Sequence, residues 1–240
     1  AIIWMDSMLG SIADCNFINN TAQDSGSAIY YRPDNPLTVG ATKANITNCK
    51  FADNNVTGTD GIATVWFESS QGKIDKCNFT SNNAATAGGI YVNINDVKII
   101  NSNFTCNVAS NKAGAIYFTS ASTGSSANNC RFINNTAATG GAVVIEAISV
   151  SVNNSYFKNN NATANGGAVY MAAASTNLEF NNCNFTDNSA NFGGAVFHPS
   201  GSNQVTFLKD NFNDNTANTN HGGAIFLGST DSQHSGQTSG

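Results

Sequence analysis

Residues 130–145, Cys-Arg-Phe-Ile-Asn-Asn-Thr-Ala-Ala-Thr-Gly-Gly-Ala-Val-Val-Ile, decide the reading of this 240-residue chain. Phe132 is followed three residues on by Asn135 and five on by Ala137. The triplet Gly140-Gly141-Ala142 then opens an apolar run. The Phe–Asn spacing occurs eight times: Phe17/Asn20, Phe51/Asn54, Phe79/Asn82, Phe104/Asn107, Phe132/Asn135, Phe157/Asn160, Phe185/Asn188 and Phe212/Asn215. From Phe51 onward the copies recur every 25 to 28 residues. A register kept that long means one supersecondary unit copied along an axis.

Other columns align with the Phe. Five positions before it stands an apolar residue in most copies (Ile12, Ile46, Ile74, Ile99, Val152, Phe180, Phe207), and two before it stands Cys or a small polar residue. Further triplets, Gly166-Gly167-Ala168, Gly193-Gly194-Ala195 and Gly222-Gly223-Ala224, open runs rich in Val, Ile, Tyr and Phe. Gly26-Ser27-Ala28, Gly61-Ile62-Ala63 and Ala113-Gly114-Ala115 read as imperfect triplets, Gly88-Gly89-Ile90 lacks the Ala, and the first copy carries a long loop at 32–43. These are short strands separated by Asn/Gly/Thr corners. Pro is nearly absent, as befits strands flanked on both sides, and no 3.6-residue apolar period runs long enough for a helix.

A period near 26 residues with about three strands and no helix predicts an all-β fold, a right-handed, single-stranded parallel β-helix of about eight coils. At one strand spacing per coil the rod is about 40 Å long. A propeller blade needs about 40–45 residues, and a leucine-rich repeat would show rows of Leu. Stacking places each column on itself, so the Phe column predicts an internal ring stack and the Asn column an amide ladder.

Bulk composition narrows the function. Only 10% of residues are charged, against about 25% in ordinary domains; 39 Asn and many Ser and Thr supply the polar surface instead. A net charge of -5 argues against a nucleic-acid partner, which wants basic patches. No stretch reaches the roughly 18 apolar residues of a membrane span, so the segment is not expected to span a membrane itself. We read the solenoid over 1–228, followed by a Ser/Gly/Gln-rich tail over 229–240, as part of a longer chain whose export and anchoring signals lie elsewhere.

Phe-x-x-Asn coupled to Gly-Gly-Ala-(Ile/Val) resembles the repeat of the polymorphic outer membrane proteins of chlamydiae. It is also similar to adhesin-like surface proteins of methanogenic archaea, and copies reading Cys-Asn-Phe, as at Cys15, Cys77 and Cys183, look more like the archaeal group. The resemblance covers roughly residues 12 to 227. It implies a cell-surface, extracellular β-helix passenger whose usual role is adhesion to a protein or glycan of another cell, without catalytic residues.

The residues offer several candidate sites. The runs after the triplets place Tyr30, Tyr117, Tyr170, Phe197 and Phe226 in one column and Tyr31, Trp66, Phe118, Met171 and His198 in the next. Alternation sends the two to opposite faces. The Tyr-rich column is expected to be the exposed one, a ribbon for a sugar or a partner; the plainer account is that chain segments cover both.

Nine Asn-x-Ser/Thr sequons occur: Asn19, Asn45, Asn55, Asn78, Asn103, Asn134, Asn153, Asn161 and Asn184. Asn78, Asn103 and Asn184 precede a buried Phe and are expected to point outward; Asn19, Asn134 and Asn161 are further candidates. Cys15, Cys49, Cys77, Cys130 and Cys183 share one column and Cys106 stands apart, with no close pair of the kind metal sites use. In-register stacking aims neighbouring Cβ atoms the same way, which opposes disulfide geometry, so free thiols are expected.

Polysaccharide-cleaving β-helices need clustered carboxylates, and with three Glu and two Arg in the chain no catalysis and no cofactor are expected. Asp187 and Asp214, in matching positions of adjacent copies, are the nearest approach to a cation site; two solvated corner residues is the plainer account. An adhesin, a purely structural stalk and a carbohydrate-active enzyme therefore stay open, in that order.

Overall fold

In a computed structural model, which describes residues 2–5, 9–32, 43–199, 204–219 and 221–228, the chain is a right-handed parallel β-solenoid. The described residues form 33 short strands and no helix. The loop at 33–42 and the tail over 229–240 lie outside them.

Each coil carries four strands, where the sequence suggested about three. In one coil these are Ser126–Asn128, Arg131–Ile133, Thr136–Thr139 and Val143–Ile145. They belong to the first, second, third and fourth sheets; the first three sheets have eight strands each and the fourth has nine. The third-sheet strands went unread because Ala and Asn carry little strand signal. They exist because their backbones bond to the coils on either side. Pairing is parallel throughout and in register on the first, second and fourth sheets, as in Phe104↔Phe132↔Phe157, while the third sheet shifts register within its longer strands.

Three corners in every coil lie in the left-handed region, and five coils add a fourth before the first-sheet strand, at Gln71, Asp96, Gly124, Ser149 and Asn177. Two flank the second-sheet strand, at Asn129 (φ 54°) and Asn134 (φ 56°) in this coil. Across the eight coils, twelve of these sixteen corner residues are Asn or Asp, the side chains that best tolerate that conformation. The third corner is Gly26, Ala63, Ala87, Ala113, Gly140, Gly166, Gly193 or Gly222. The next position explains the glycine that recurs from Gly88 onward: a Cβ on Gly141 would strike the Gly167 carbonyl oxygen of the neighbouring coil, and one on Gly167 the Gly194 oxygen. The imperfect triplets thus fall into register as Ala87-Gly88-Gly89 and Ala113-Gly114-Ala115, with Ala taking the left-handed corner at some strain.

The interior holds the Phe column, rings stacked nearly parallel at 4.5 to 5.1 Å from Phe17 to Phe212. The Asn column is an unbroken amide ladder. Asn135 Oδ1 accepts from the backbone N–H and side-chain amide of Asn107, while its own amide donates to Phe104 O and Asn160 Oδ1, all at 3.0–3.1 Å. One buried side chain thereby uses both donors and both lone pairs. The pattern runs from Asn20 through Asn54, Asn82, Asn107, Asn135, Asn160 and Asn188 to Asn215.

Asn135→Ala should orphan buried groups in two adjacent coils and cost ~3 kcal/mol; Phe132→Ala should cost roughly 3–5 kcal/mol through cavity formation. Urea denaturation measures the totals. Hydrogen exchange should show the loss of protection concentrated in the adjoining coils, and uniform loss would count against stacked coils.

Candidate functional site

The outer face of the fourth sheet carries the aromatic column. Strand register places Tyr30, Trp66, Tyr91, Tyr117, Val144, Tyr170, Phe197 and Phe226 in one line. Tyr30, Tyr117, Tyr170, Phe197 and Phe226 do share a face. Trp66, assigned by sequence to the inner column, belongs to the outer one, and Phe67 takes its place in the core. Ala63, aligned by sequence with Ala28, in fact occupies the left-handed corner, and its coil is one residue shorter between corner and strand. Tyr91 was missed for a related reason, since Gly89 stands where other coils have Ala.

The column is not uniformly exposed. Tyr30, Trp66, Tyr91, Tyr170 and Phe226 are half-buried, whereas Tyr117 and Phe197 retain only 8% and 1% exposure. The cause is a second apolar cluster outside the solenoid core. Ala63, Ala87 and Ala113, at the third corner, pack with Tyr117 and Val144, and Ile62, Tyr91 and Tyr170 lie against them. Further along, Phe192 meets Phe197 and Phe226 edge-on, with ring centroids 6.3 and 5.6 Å apart. The column is therefore covered at Tyr117 and Phe197 and half-open elsewhere. Its N-terminal half is a run of stacked rings: Tyr30–Trp66 at 5.4 Å, Trp66–Tyr91 at 4.5 Å and Tyr91–Tyr117 at 5.4 Å.

Two residues further along each strand, a polar row runs beside the rings. Arg32 Nε lies 3.5 Å from Glu68 Oε2, Asn93 Nδ2 donates to Glu68 Oε1 at 2.7 Å, and Thr119 Oγ1 donates to Asn93 Oδ1 at 2.8 Å. Glu146 continues the row and receives Lys112 Nζ at 2.7 Å. The ammonium of Lys112 also lies 5.5 Å from the centroid of Tyr117. Lys112, Tyr117 and Glu146 thus form a strap across the column at the point where Val144 interrupts the rings. Burial, then the Glu146 hydrogen bond and charge, push the Tyr117 phenol up; burial followed by Glu68 and Glu146 does the same to Tyr91.

The family can now be stated, because residues 65–236 match the model of the right-handed β-helix region. The chain belongs to the right-handed β-helix family. Within this β-helix, residues 14–32 also match the repeat of the Chlamydia polymorphic membrane proteins. No curated protein matches the chain.

The remaining candidates scatter around the β-helix. Asn78, Asn103 and Asn184 lie on second-sheet strands, Asn161 on a third-sheet strand, and Asn19 and Asn134 at the corner between those sheets. Asn45 and Asn153 are on the first sheet and Asn55 on the third. No sequon falls on a fourth-sheet strand. Asn19, Asn78 and Asn134 are exposed and Asn103, Asn161 and Asn184 half-buried. Asp187 and Asp214 are exposed corner residues, and Asp187 lies 3.9 Å from Lys158. Among the described residues no group of three His, Cys, Asp or Glu side chains could hold a metal ion.

All six cysteines are free. Those in the column bond backbone carbonyls, as Cys77 Sγ does to Asp75 O at 3.3 Å, while Cys106 occupies an exposed left-handed corner. Burial pushes the thiols of Cys77, Cys130 and Cys183 up to about 12.

Two outcomes follow. Alkylation at mildly alkaline pH should modify Cys106 and leave Cys77, Cys130 and Cys183 untouched until the protein unfolds. Because these three bury the neutral thiol, the stability they contribute is complete below the ordinary thiol value of 9.0 and is lost as pH rises towards about 12. Urea midpoints should fall over that window, and less so in the Cys77→Ala/Cys130→Ala/Cys183→Ala variant.

Expressed in a glycosylating host, Asn78 should be modified more fully than Asn103, whose amide nitrogen is held by Asn78 Oδ1 at 2.9 Å. Glycopeptide mass spectrometry would reveal the reverse order if this were wrong.

Proposed function

We propose that this β-helix is a non-catalytic attachment segment of an extracellular, cell-surface protein, and that its ligand face is the outer face of the fourth sheet. The observation that carries the reading is the run of rings from Tyr30 to Tyr117, set beside a polar row on the one sheet whose strands bear no sequon. Sugars attached at any of the nine sequons would leave this face bare. The half-exposed Tyr30, Trp66 and Tyr91 suit contact with a protein or a glycan of another cell.

Surface location is supported by the match to the polymorphic membrane protein repeat and by the resemblance of the Cys-Asn-Phe copies to archaeal surface proteins. The amide- and hydroxyl-rich exterior also suits a long exported rod, whose solubility does not depend on charge.

Absence of catalysis is supported by the carboxylates of the polar row. Glu68 and Glu146 are three coils apart, about 14 Å at one strand spacing per coil. Paired glycosidase carboxylates stand roughly 5–10 Å apart. Each is also occupied by a cation of its own.

Beads coated with the protein should retain cells, and Trp66→Ala/Tyr91→Ala should reduce retention to that of uncoated beads. Lys158→Ala, on the second sheet, should leave it unchanged. Circular dichroism and the urea midpoint establish that each variant is folded. Full retention by a folded double variant would favour the stalk reading, in which the unbroken Phe and Asn columns supply length and stiffness alone.

A further inference from the structure

We infer that the ridge where the first and second sheets meet docks the β-helix onto an anionic lipid surface through Lys50, Lys73, Lys76 and Lys98. This goes beyond the attachment reading and uses a different side of the coil from the fourth-sheet rings.

The chain has only ten Lys and Arg, and five of them, Lys43, Lys50, Lys73, Lys76 and Lys98, fall in three consecutive coils. The fold gathers them. Lys73 and Lys98 are register partners on the first sheet, and Lys43 leads into the first-sheet strand of the coil before. Lys76 occupies the left-handed corner, and Lys50 pairs with Asn78 just past that corner on the second sheet. Lys43, Lys50, Lys76 and Lys98 are all exposed.

Elsewhere the cations are engaged. Arg32, Lys112 and Lys158 each meet a carboxylate, and Arg131 lies 5.3 Å from the centroid of the Tyr156 ring. On the ridge only Lys73 is paired, to Asp75 at 3.3 Å. Lys43, Lys50, Lys76 and Lys98 form no ion pair among the described residues, and setting Lys98 beside Lys73 places like charges in direct register, which weakens a sheet. Lys209, likewise unpaired among the described residues, stands on the same corner five coils further on, and the corner between carries only Asn101, Asn129, Asn154 and Asn182.

The carboxylates bordering the ridge do not cancel it. Asp75 is nearly buried and also accepts from Asn101 at 3.0 Å; Asp14 accepts from Asn48 at 2.6 Å and Asp96 from Asn95 at 2.7 Å. Asp53 lies beyond the second-sheet strand, at its far corner. The net charge of -5 resides mostly elsewhere, and at physiological salt a charge acts over only about 8 Å.

The form of the ridge selects its occupant. A folded protein partner needs an apolar or aromatic anchor, and no exposed large hydrophobic residue lies among these lysines. Pairing with individual carboxylates favours the planar fork of Arg, whereas these groups are ammonium point charges on flexible stems. They also fan across the width of a convex ridge, so a linear polyanion meets few of them at once. A plane of anionic headgroups meets them all.

Co-sedimentation of the whole protein with vesicles tests the assignment. Phosphatidylcholine vesicles carrying about 30% phosphatidylglycerol should capture it at about 0.05 M salt and release it at about 0.3 M, and pure phosphatidylcholine should not capture it. Lys50→Gln/Lys76→Gln/Lys98→Gln should lower partitioning about fivefold per lysine, roughly a hundredfold in all. Ser110→Asp/Thr163→Asp/Asn218→Asp, which changes the net charge equally along the third sheet, should partition within about twofold of the parent. Circular dichroism establishes that each variant is folded.

No capture by the anionic vesicles at low salt would overturn the inference, as would equal losses in the two triple variants, which would make net charge the cause. Tighter binding to soluble polyphosphate than to vesicles of equal phosphate content would overturn the lipid assignment in favour of a linear polyanion. Trp66→Ala/Tyr91→Ala should partition like the parent, so failure of the ridge and failure of the fourth-sheet reading are told apart.

Discussion

In-register stacking at one strand spacing is the constraint on which the rest of this molecule depends. Every side chain in a column meets copies of its own position above and below, so a buried residue survives only if it is compatible with itself. Asn satisfies that condition because its amide is both donor and acceptor: each Oδ1 takes two hydrogen bonds from one neighbouring coil while each Nδ2 reaches the next. Asp in the same column would set carboxylates one strand spacing apart in a dry interior, and Lys would do the same with ammonium groups; either is prohibitive. Phe passes the same test because offset rings can stack at the distance the backbone imposes. The scarcity of charge in the chain is thus a consequence of the architecture, since few columns can hold one.

Outside the core the constraint relaxes, and the way it relaxes is informative. On the fourth sheet, charged residues of the polar row meet an opposite charge or a neutral amide or hydroxyl in the adjoining coils, never a like charge. At the flanking corners the backbone requirement dominates instead. Asn and Asp recur there for their tolerance of positive φ, and where Cys106 or Lys76 stands in such a corner the strain is borne by the surrounding ladder.

Much of this was legible because a period exposes the self-compatibility test directly. The Phe and Asn columns are the same residue facing itself, the Cys column alternates with Ser in its middle coils, and the sequence spells that out. The third-sheet strands were not legible, because Ala84, Ala109 and Ala137 are there for lack of room, a condition that resembles a loop when read as propensity. Trp66 was misplaced and Tyr91 missed for a geometric reason. The triplets were aligned on their appearance, whereas the feature that sets the phase is the left-handed corner, which Ala63 and Ala87 occupy where other coils have a Gly such as Gly140. One residue of phase moves a side chain from core to surface. The strap was invisible to sequence because Lys112 and Glu146 are 34 residues apart and meet only through the coil geometry.

That difference in legibility separates scaffold from site on physical grounds. Columns that hold coils together must be uniform, whereas a surface that recognises something must vary enough to have a beginning and an end. The aromatic column meets the second condition. It stacks four rings from Tyr30 to Tyr117, is cut by Val144 beneath the Lys112–Glu146 strap, and resumes as a second stack of Tyr170, Phe197 and Phe226 with Phe192 edge-on against its last two. A surface whose only task was stiffness would gain nothing from that break. The interruption divides the face into two runs, a division that serves a bound partner and is irrelevant to a rod.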